Sequence, residues 1–258
     1  MKIVALQSPV VRLGDDLWSV LKRTLPKKLS EKTVVVVTSK ILSLTEGAAV
    51  KVQGTTEEIH QQKRALAKKI ADWYIEETES AYGSLITIKE RTLVSSSGVD
   101  ASNADGTLVF WPENLQALTE KIWQWLRQEY RVQEVGVLVT DSHSVPLRLG
   151  AIGTVLAYCG FQPLNDKTGE KDLFGRKFQF TRVNVAEALA VAAVLEMGEG
   201  AEQTPVALVT AAKSVFFQQH KPTVTELATI KVEKNQDLFA PFLNQGHWRQ
   251  GTDKKNCR

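Results

Sequence analysis

Apolar and polar positions fall into blocks whose period switches along the chain. "KIVAL" (2–6) predicts a first strand, "GDDLWSVLKRTL" (14–25) a helix opened by acidic residues at its positive end, and "TVVVVTS" (33–39) a strand apolar on both faces and therefore buried on both. From Thr55 to about Ser80, Ile59, Leu66, Ile70 and Trp73 recur at helical spacing, with Glu57 and Glu58 in the first turn; the pattern predicts one long surface helix carrying a solvated or packed His60. "SLITIKERTLVSSSGVD" (84–100) predicts two short strands or one bent one, and "GTLVFWP" (106–112) another strand stopped by Pro112. Pro112 then suits the start of a helix with Leu115, Leu118, Ile122 and Trp125 on one stripe.

"EVGVLVTDSHSVPLRLG" (134–150) repeats the opening design, an apolar strand at 135–139 running into Thr140, Asp141, Ser142 and His143. A small-residue segment (150–160), a polar loop "NDKTGEKDLFGR", a strand "KFQFTRV", an Ala-rich helix "NVAEALAVAAVLEMG" and a strand "PVALVT" follow, and beyond about Gln218 the patterning weakens. Strands alternating with helices predict a mixed α/β chain whose sheets are flanked by helices, with a catalytic domain over 1–215 and a C-terminal extension over 216–258 packed on it and ending in a polar tail.

Composition narrows the class. The chain has 258 residues, 43% hydrophobic and 24% charged, enough to bury a core. Lys and Arg exceed Asp and Glu by three, but the surplus is local and lacks interleaved aromatics, which argues against a nucleic-acid partner. Two cysteines, Cys159 and Cys257, the latter in a polar tail, build no disulfide framework and point to a reducing cytoplasm. No apolar run is long enough to cross a membrane, and the N-terminus does not read as a signal peptide.

The candidate chemistry sits where apolar elements end. Ser39-Lys40, Asp100 and Asn103 in "SSSGVDASN", Asp141 and Ser142 in "TDS", and Glu199 in "MGEG" all follow strands or helices, which hold side chains rigidly while the loop beyond stays open. If Asp100, Asp141 and Glu199 converge, three carboxylates would call for a divalent cation, Mg²⁺ or Mn²⁺, and such ions commonly share substrate phosphates. The residues alone leave a plainer reading open: Asp100 as a turn former, Asp141 as a helix cap and Glu199 as a solvated residue. His143 is either a base or lining of its loop. Neither GxxxxGK[ST], GxGxxG, a zinc spacing nor GxSxG occurs.

Five ordered blocks, "TSKILSLTEG", "SSSGVDASNADG", "VGVLVTDSHSVPLRLGAIG", "NDKTGEKDLFGRKFQFT" and "AEALAVAAVLEMGEG…PVALV", together resemble the coenzyme F420-0:γ-glutamyl ligase family over roughly residues 1–210. The resemblance implies that family's mixed α/β fold, an intertwined homodimer, and γ-linked addition of L-glutamate to the carboxylate of F420-0 with GTP (or ATP) and Mg²⁺ or Mn²⁺. By position it implies Asp100, Asp141, Ser142 and Glu199 as metal ligands, with Ser142 where Thr is usual. It implies Gln7, Ser8, Pro9, Ser39, Lys40, Asn103, Met197, Gly198 and Gly200 as nucleotide contacts. Arg148 is retained from the family's TDTxGRPxRxG pattern as a candidate catalytic residue.

Three departures qualify this. Leu44 stands where the family has Lys, Ser144-Val145 replaces Gly-Arg, and "AEALA" (Glu187, Ala188) replaces ADELA. Val145 cannot grip a carboxylate or phosphate as an Arg does. The resemblance therefore also allows a folate acceptor (tetrahydrofolate) by the same chemistry, or a non-catalytic nucleotide-binding homologue.

Overall fold

The computed structural model describes residues 1–253, so Cys257 lies outside the described residues. In chain order the elements begin with β1 (Lys2–Leu6), α1 (Leu17–Thr24), β2 (Thr33–Thr38), α2 (Ser39–Thr45), β3 (Ala49–Lys51), α3 (Thr56–Ile70), β4 (Trp73–Ile75), β5 (Ile86–Lys89), β6 (Thr92–Ser95) and β7 (Thr107–Val109). They continue with α4 (Leu115–Tyr130), β8 (Val135–Ser144), β9 (Ala151–Cys159), β10 (Leu164–Asp166), β11 (Arg182–Asn184), α5 (Val185–Met197), β12 (Val206–Thr210), α6 (Val224–Ile230), α7 (Ala240–Leu243) and β13 (Arg249–Gln250). The fold is mixed α/β, with mixed sheets and seven α-helices among the described residues.

The central sheet has the order β1-β12-β2-β8-β9, with β2 and β8 parallel and the other neighbours antiparallel. Its middle is apolar on both faces because both are covered. Val35, Val37, Val135, Val137 and Val139 pack with α1 and α4 through Leu21, Leu115, Ile122, Trp123 and Leu126. Val34, Val36 and Leu138 pack with α5 through Leu189, Ala190 and Ala193. This is the double burial that "TVVVVTS" predicts. A smaller sheet, β13-β4-β5-β6, and the pair β3-β7 enclose a third core of Val52, Ala67, Leu85, Val99 and Leu108.

Several expectations need correction. The long helix to about Ser80 stops at Ile70: Thr55 and Glu58 form a full capping box, but Ala71 is extended, and Trp73–Ile75 forms a strand against β5. Aromatic and β-branched residues suit a strand whose partner lies nearby, and pairing overrides the helical period. "KFQF" is not a strand but holds one isolated bridge, Lys177 to Lys171; the strand there is Arg182–Asn184, which pairs with β10. Pro112 does not start α4, since Asn114 at its N-cap has φ 57°, which no helical residue adopts, so the helix begins at Leu115. The segment Ser84–Asp100 resolves into a hairpin whose two turn residues, Glu90 and Arg91, both have positive φ, the requirement of a two-residue turn met without glycine.

Residues after 215 run over the surface as α6 and α7 and return as β13, where Arg249 and Gln250 pair with Tyr74 and Trp73. Lys234 lies over the rings of Trp73 and Trp248, 5.1 and 5.6 Å from their centroids, an arrangement attractive for a cation. Gly251 is buried, and a Cβ there would stand 1.9 Å from the Ala71 carbonyl oxygen. We predict that Gly251→Ala lifts this segment off β4 while leaving the central sheet folded. Hydrogen exchange should speed at Trp73–Ile75 and Arg249–Gln250 but not at Val34–Val37; unchanged exchange at β4 would refute this.

Candidate functional site

Four chain segments reach one mouth of the central sheet. Leu6 pairs with Val206, Val206 with Val37, and Val37 with Val139, so one row crosses four strands. Beyond that row lie Ser8, Thr38–Lys40, Thr140–Ser142 and the 198–205 loop, and they surround a cavity of about 680 Å³. That volume is in the range of about 300–1,000 Å³ typical of small-molecule sites. Loop bonds fix the rim: the Ser8 N–H donates to Gln203 O at 3.0 Å, Thr38 N–H to Pro205 O at 3.0 Å, and Asn103 Nδ2 to Gly200 O at 2.9 Å.

The sequence-predicted residues separate into two groups. Ser8, Pro9, Lys40, Asp100, Asn103, Asp141, Ser142, Met197, Gly198, Glu199 and Gly200 all line the cavity. Gln7 is exposed outside its wall, and Ser39 is buried at the start of α2 with its carbonyl taken by the Ser43 hydroxyl. Arg148 is exposed on the β8–β9 turn, its guanidinium donating to Leu147 O, away from the cavity. "TDS" is not a loop after a strand but the strand itself, because β8 continues to Ser144 in pairing with β9; a register shift between Val139 and Thr140 lies just before Asp141. His143 faces a different, smaller cavity.

The carboxylates are held differently. Asp100 bridges to Val109 through both backbone groups; its Oδ2 accepts from Lys40 Nζ at 2.7 Å and from the Ser102 hydroxyl, and its Oδ1 from the N–H groups of Ala101 and Ser102. Burial alone would raise its pKa, but Lys40 and the Ser102 bonds outweigh it and hold the carboxyl down at about 2. Asp141 is the opposite case. Burial pushes it up to about 6, with the Asp100 charge adding to the rise, although Trp111 Nε1 and the Ser142 N–H donate to it. The Ser142 hydroxyl donates to Glu199 Oε1 at 2.6 Å, and the Thr140 hydroxyl is buried at the cavity wall with no partner among the described residues.

Among the described residues no three Asp, Glu, His or Cys side chains form a cage for a metal ion. The three predicted carboxylates share a cavity, but Asp100 is already neutralised by Lys40. What remains, Asp141, Ser142, Glu199 and the orphaned Thr140 hydroxyl, is a set of hard oxygen donors. That set fits Mg²⁺ or Mn²⁺, which take one or two protein carboxylates and complete their shells with water and phosphate.

Sequence reasoning missed Trp111, Ser102, Arg12 and Lys63. Trp111 reads as a core aromatic, and its indole is placed by Gly98, where a Cβ would stand 2.3 Å from Nε1. Arg12 and Lys63 line the cavity from distant segments, and no local pattern marks them. With the pKa of Asp141 raised from 3.8 to about 6, the folded protein holds a proton that the unfolded chain has lost between those values. The stability this carboxyl contributes is thus fully present below about pH 4 and lost as pH rises through 6. Asp141→Asn should therefore melt increasingly above the wild type as pH rises from about 4 to 7 without metal. A melting difference independent of pH would contradict the raised pKa.

Residues 5–211 match the F420-0:Gamma-glutamyl ligase family. The coenzyme F420:L-glutamate ligase of Methanosarcina barkeri is 30% identical over 210 residues, 78% of this chain and 81% of that protein. That of Methanocaldococcus jannaschii is 29% identical over 226 residues, 84% and 90% respectively, and that of Haloarcula marismortui 32% identical over 225 residues, 81% and 86%. The matched span holds every residue of the cavity described above, and the chain belongs to the F420-0:γ-glutamyl ligase family.

Proposed function

We propose that this chain is a γ-glutamyl ligase that uses a nucleoside triphosphate, GTP in the first place, to activate an acceptor carboxylate and join it to L-glutamate. The observation that carries the reading is one cavity with hard oxygen donors on the β8 side and the cations Lys40, Lys63 and Arg12 among its other lining residues. The resemblance to ligases of this family supplies the reaction class.

The chemistry asks for little covalent help from the protein. An acceptor carboxylate oxygen bonds to the γ-phosphorus as the bond to the nucleoside diphosphate breaks. The glutamate amine then bonds to the acyl carbon, inorganic phosphate leaves, and the amine gives up a proton. Positioning and charge neutralisation are the protein's contributions. Asp141, Ser142 and Glu199 would hold a divalent cation, which when bound neutralises phosphate charge. Lys40 keeps Asp100 ionised and fixed, Arg12 and Lys63 offer positive charge to the phosphates, and the rim bonds at Ser8, Asn103 and Gln203 keep the loops in place.

Leu44 lines this cavity where relatives of the resembled pattern carry Lys, and Lys63 on α3 restores a cation to the same space. That argues for retained nucleotide binding. The acceptor is F420-0 or a close analogue; the second reading is a folate, left open because Val145 stands where the resembled pattern has an Arg that could grip an acceptor carboxylate. The chain acts as a homodimer in either case, and residues 216–258 form an extension to a catalytic unit over 1–215.

The deciding experiment is mass spectrometry after incubation with L-glutamate, GTP or ATP, and Mg²⁺ or Mn²⁺, with F420-0 and tetrahydrofolate in separate reactions. A gain of one or more glutamyl units in one reaction establishes the ligase and its acceptor, whereas nucleotide binding with no gain in either would leave the non-catalytic reading. Asp141→Asn should abolish product while the protein stays folded. Lys63→Met should weaken nucleotide binding roughly tenfold, since a charged hydrogen bond contributes about 1.5 kcal/mol. Unchanged nucleotide affinity in Lys63→Met would remove Lys63 from the phosphate site.

A further inference from the structure

A second cavity, of about 180 Å³, lies beside the β8–β9 ladder and is lined by Arg91, Leu93, His143, Thr154, Glu187 and Lys231, among others. It is smaller than sites for drug-sized ligands, which run from about 300 Å³ upward, and so suits a compact metabolite. None of the nucleotide chemistry described above uses it.

Its two principal charges come from different elements, and each is incompletely satisfied. Glu187, in the first turn of α5, accepts from the Thr154 hydroxyl through Oε1 and from the Val155 N–H through Oε2, both at 3.2 Å. An ionised carboxylate has about four acceptor positions, so roughly two stay open to the cavity. Lys231, at the end of α6, is drawn largely out of water and has no hydrogen-bond or ion-pair partner among the described residues. Glu90 acts on it through space most, then Arg91 with the opposite sign, then Glu187 and Asp72, but none touches it. Arg91 is engaged with Glu233, and His143 leans on the Leu93 carbonyl.

An ammonium and a carboxylate thus face one small, half-buried space without pairing with each other. A zwitterion placed between them satisfies both at once, where a simple anion or cation would satisfy one and repel the other. We propose that this cavity is an amino-acid site, with the ligand's ammonium on Glu187 and its carboxylate on Lys231. L-Glutamate is the occupant, a choice that rests on the ligase reading; Arg91 and His143 are the remaining polar groups beside its side-chain carboxylate. The site adjoins the reaction cavity through one bonded step, because Thr154, which donates to Glu187, pairs directly with Asp141.

The test is calorimetric titration of the full chain with L-glutamate, without nucleotide or metal, beside glutarate, which lacks the ammonium group. We expect one saturable site for L-glutamate and at least roughly tenfold weaker binding of glutarate. Lys231→Met and Glu187→Gln should each weaken L-glutamate roughly tenfold or more, and Lys231→Arg should restore most of the affinity. Thermal unfolding of each variant checks that it is folded. Wild-type affinity in both Lys231→Met and Glu187→Gln, equal binding of glutarate, or no saturable binding at all would overturn the proposal. Stabilisation by GTP and Mg²⁺ without L-glutamate binding removes this site and leaves the ligase; L-glutamate binding that depends on Lys231, with no response to nucleotide, does the reverse.

Discussion

The parallel pairing of β2 with β8 is the constraint on which the site depends. Two parallel strands end on the same side, so Thr38 and Thr140, partners in register, open together onto one mouth. The antiparallel neighbours add to it in the complementary sense: β12 starts there, bringing the 198–205 loop, and β1 ends there, bringing Ser8. A parallel pair is stable only if both faces are covered, which α4 and α5 do through separate apolar cores. Slipping β2 by one residue would exchange Val35 and Val37 with Val34 and Val36 between those cores and turn the mouth's side chains around.

Charge at that mouth is arranged by unequal compensation. Asp100 has a lysine, a hydroxyl and two backbone donors, and stays ionised far below neutrality. Asp141 has one indole and one backbone donor in a more deeply buried place and holds its proton into the mildly acid range. One carboxylate is therefore spent on structure while the other is left to gain from an arriving cation. Trp111 makes this asymmetry possible by giving Asp141 a single neutral donor in place of a charge.

How far the sequence discloses these features follows from the range of each interaction. Val34–Val37 are legible because burial on both faces writes a continuous apolar run, and α5 because small apolar residues of high helix propensity fill most of its length. Thr55 and Glu58 announce the start of α3 because a capping box is local. Its end is not legible, since Trp73–Ile75 becomes a strand only through β5. The lining carboxylates Asp100 and Glu199 can be found from their places at element ends, and Asp141 from the switch to polar residues within β8, each helped by the family resemblance. Lys63, Trp111 and the Lys231–Glu187 juxtaposition cannot, because each is made by segments far apart in the chain.

Helix α5 joins the two cavities and carries a carboxylate at each end, in opposite electrostatic settings. Glu187 sits in its first turn, where the unpaired N–H groups and the positive end of the helix dipole favour an anion. Glu199 follows directly on the C-terminal Met197-Gly198, where the dipole is negative and disfavours one. The described contact that offsets this is the Ser142 hydroxyl, a neutral donor. A carboxylate held at a helix C-terminus by one neutral donor, in the same cavity as Asp141, is a position that a cation relieves. The same backbone thus favours a fixed anion at one end and, at the other, leaves an anion that calls for positive charge.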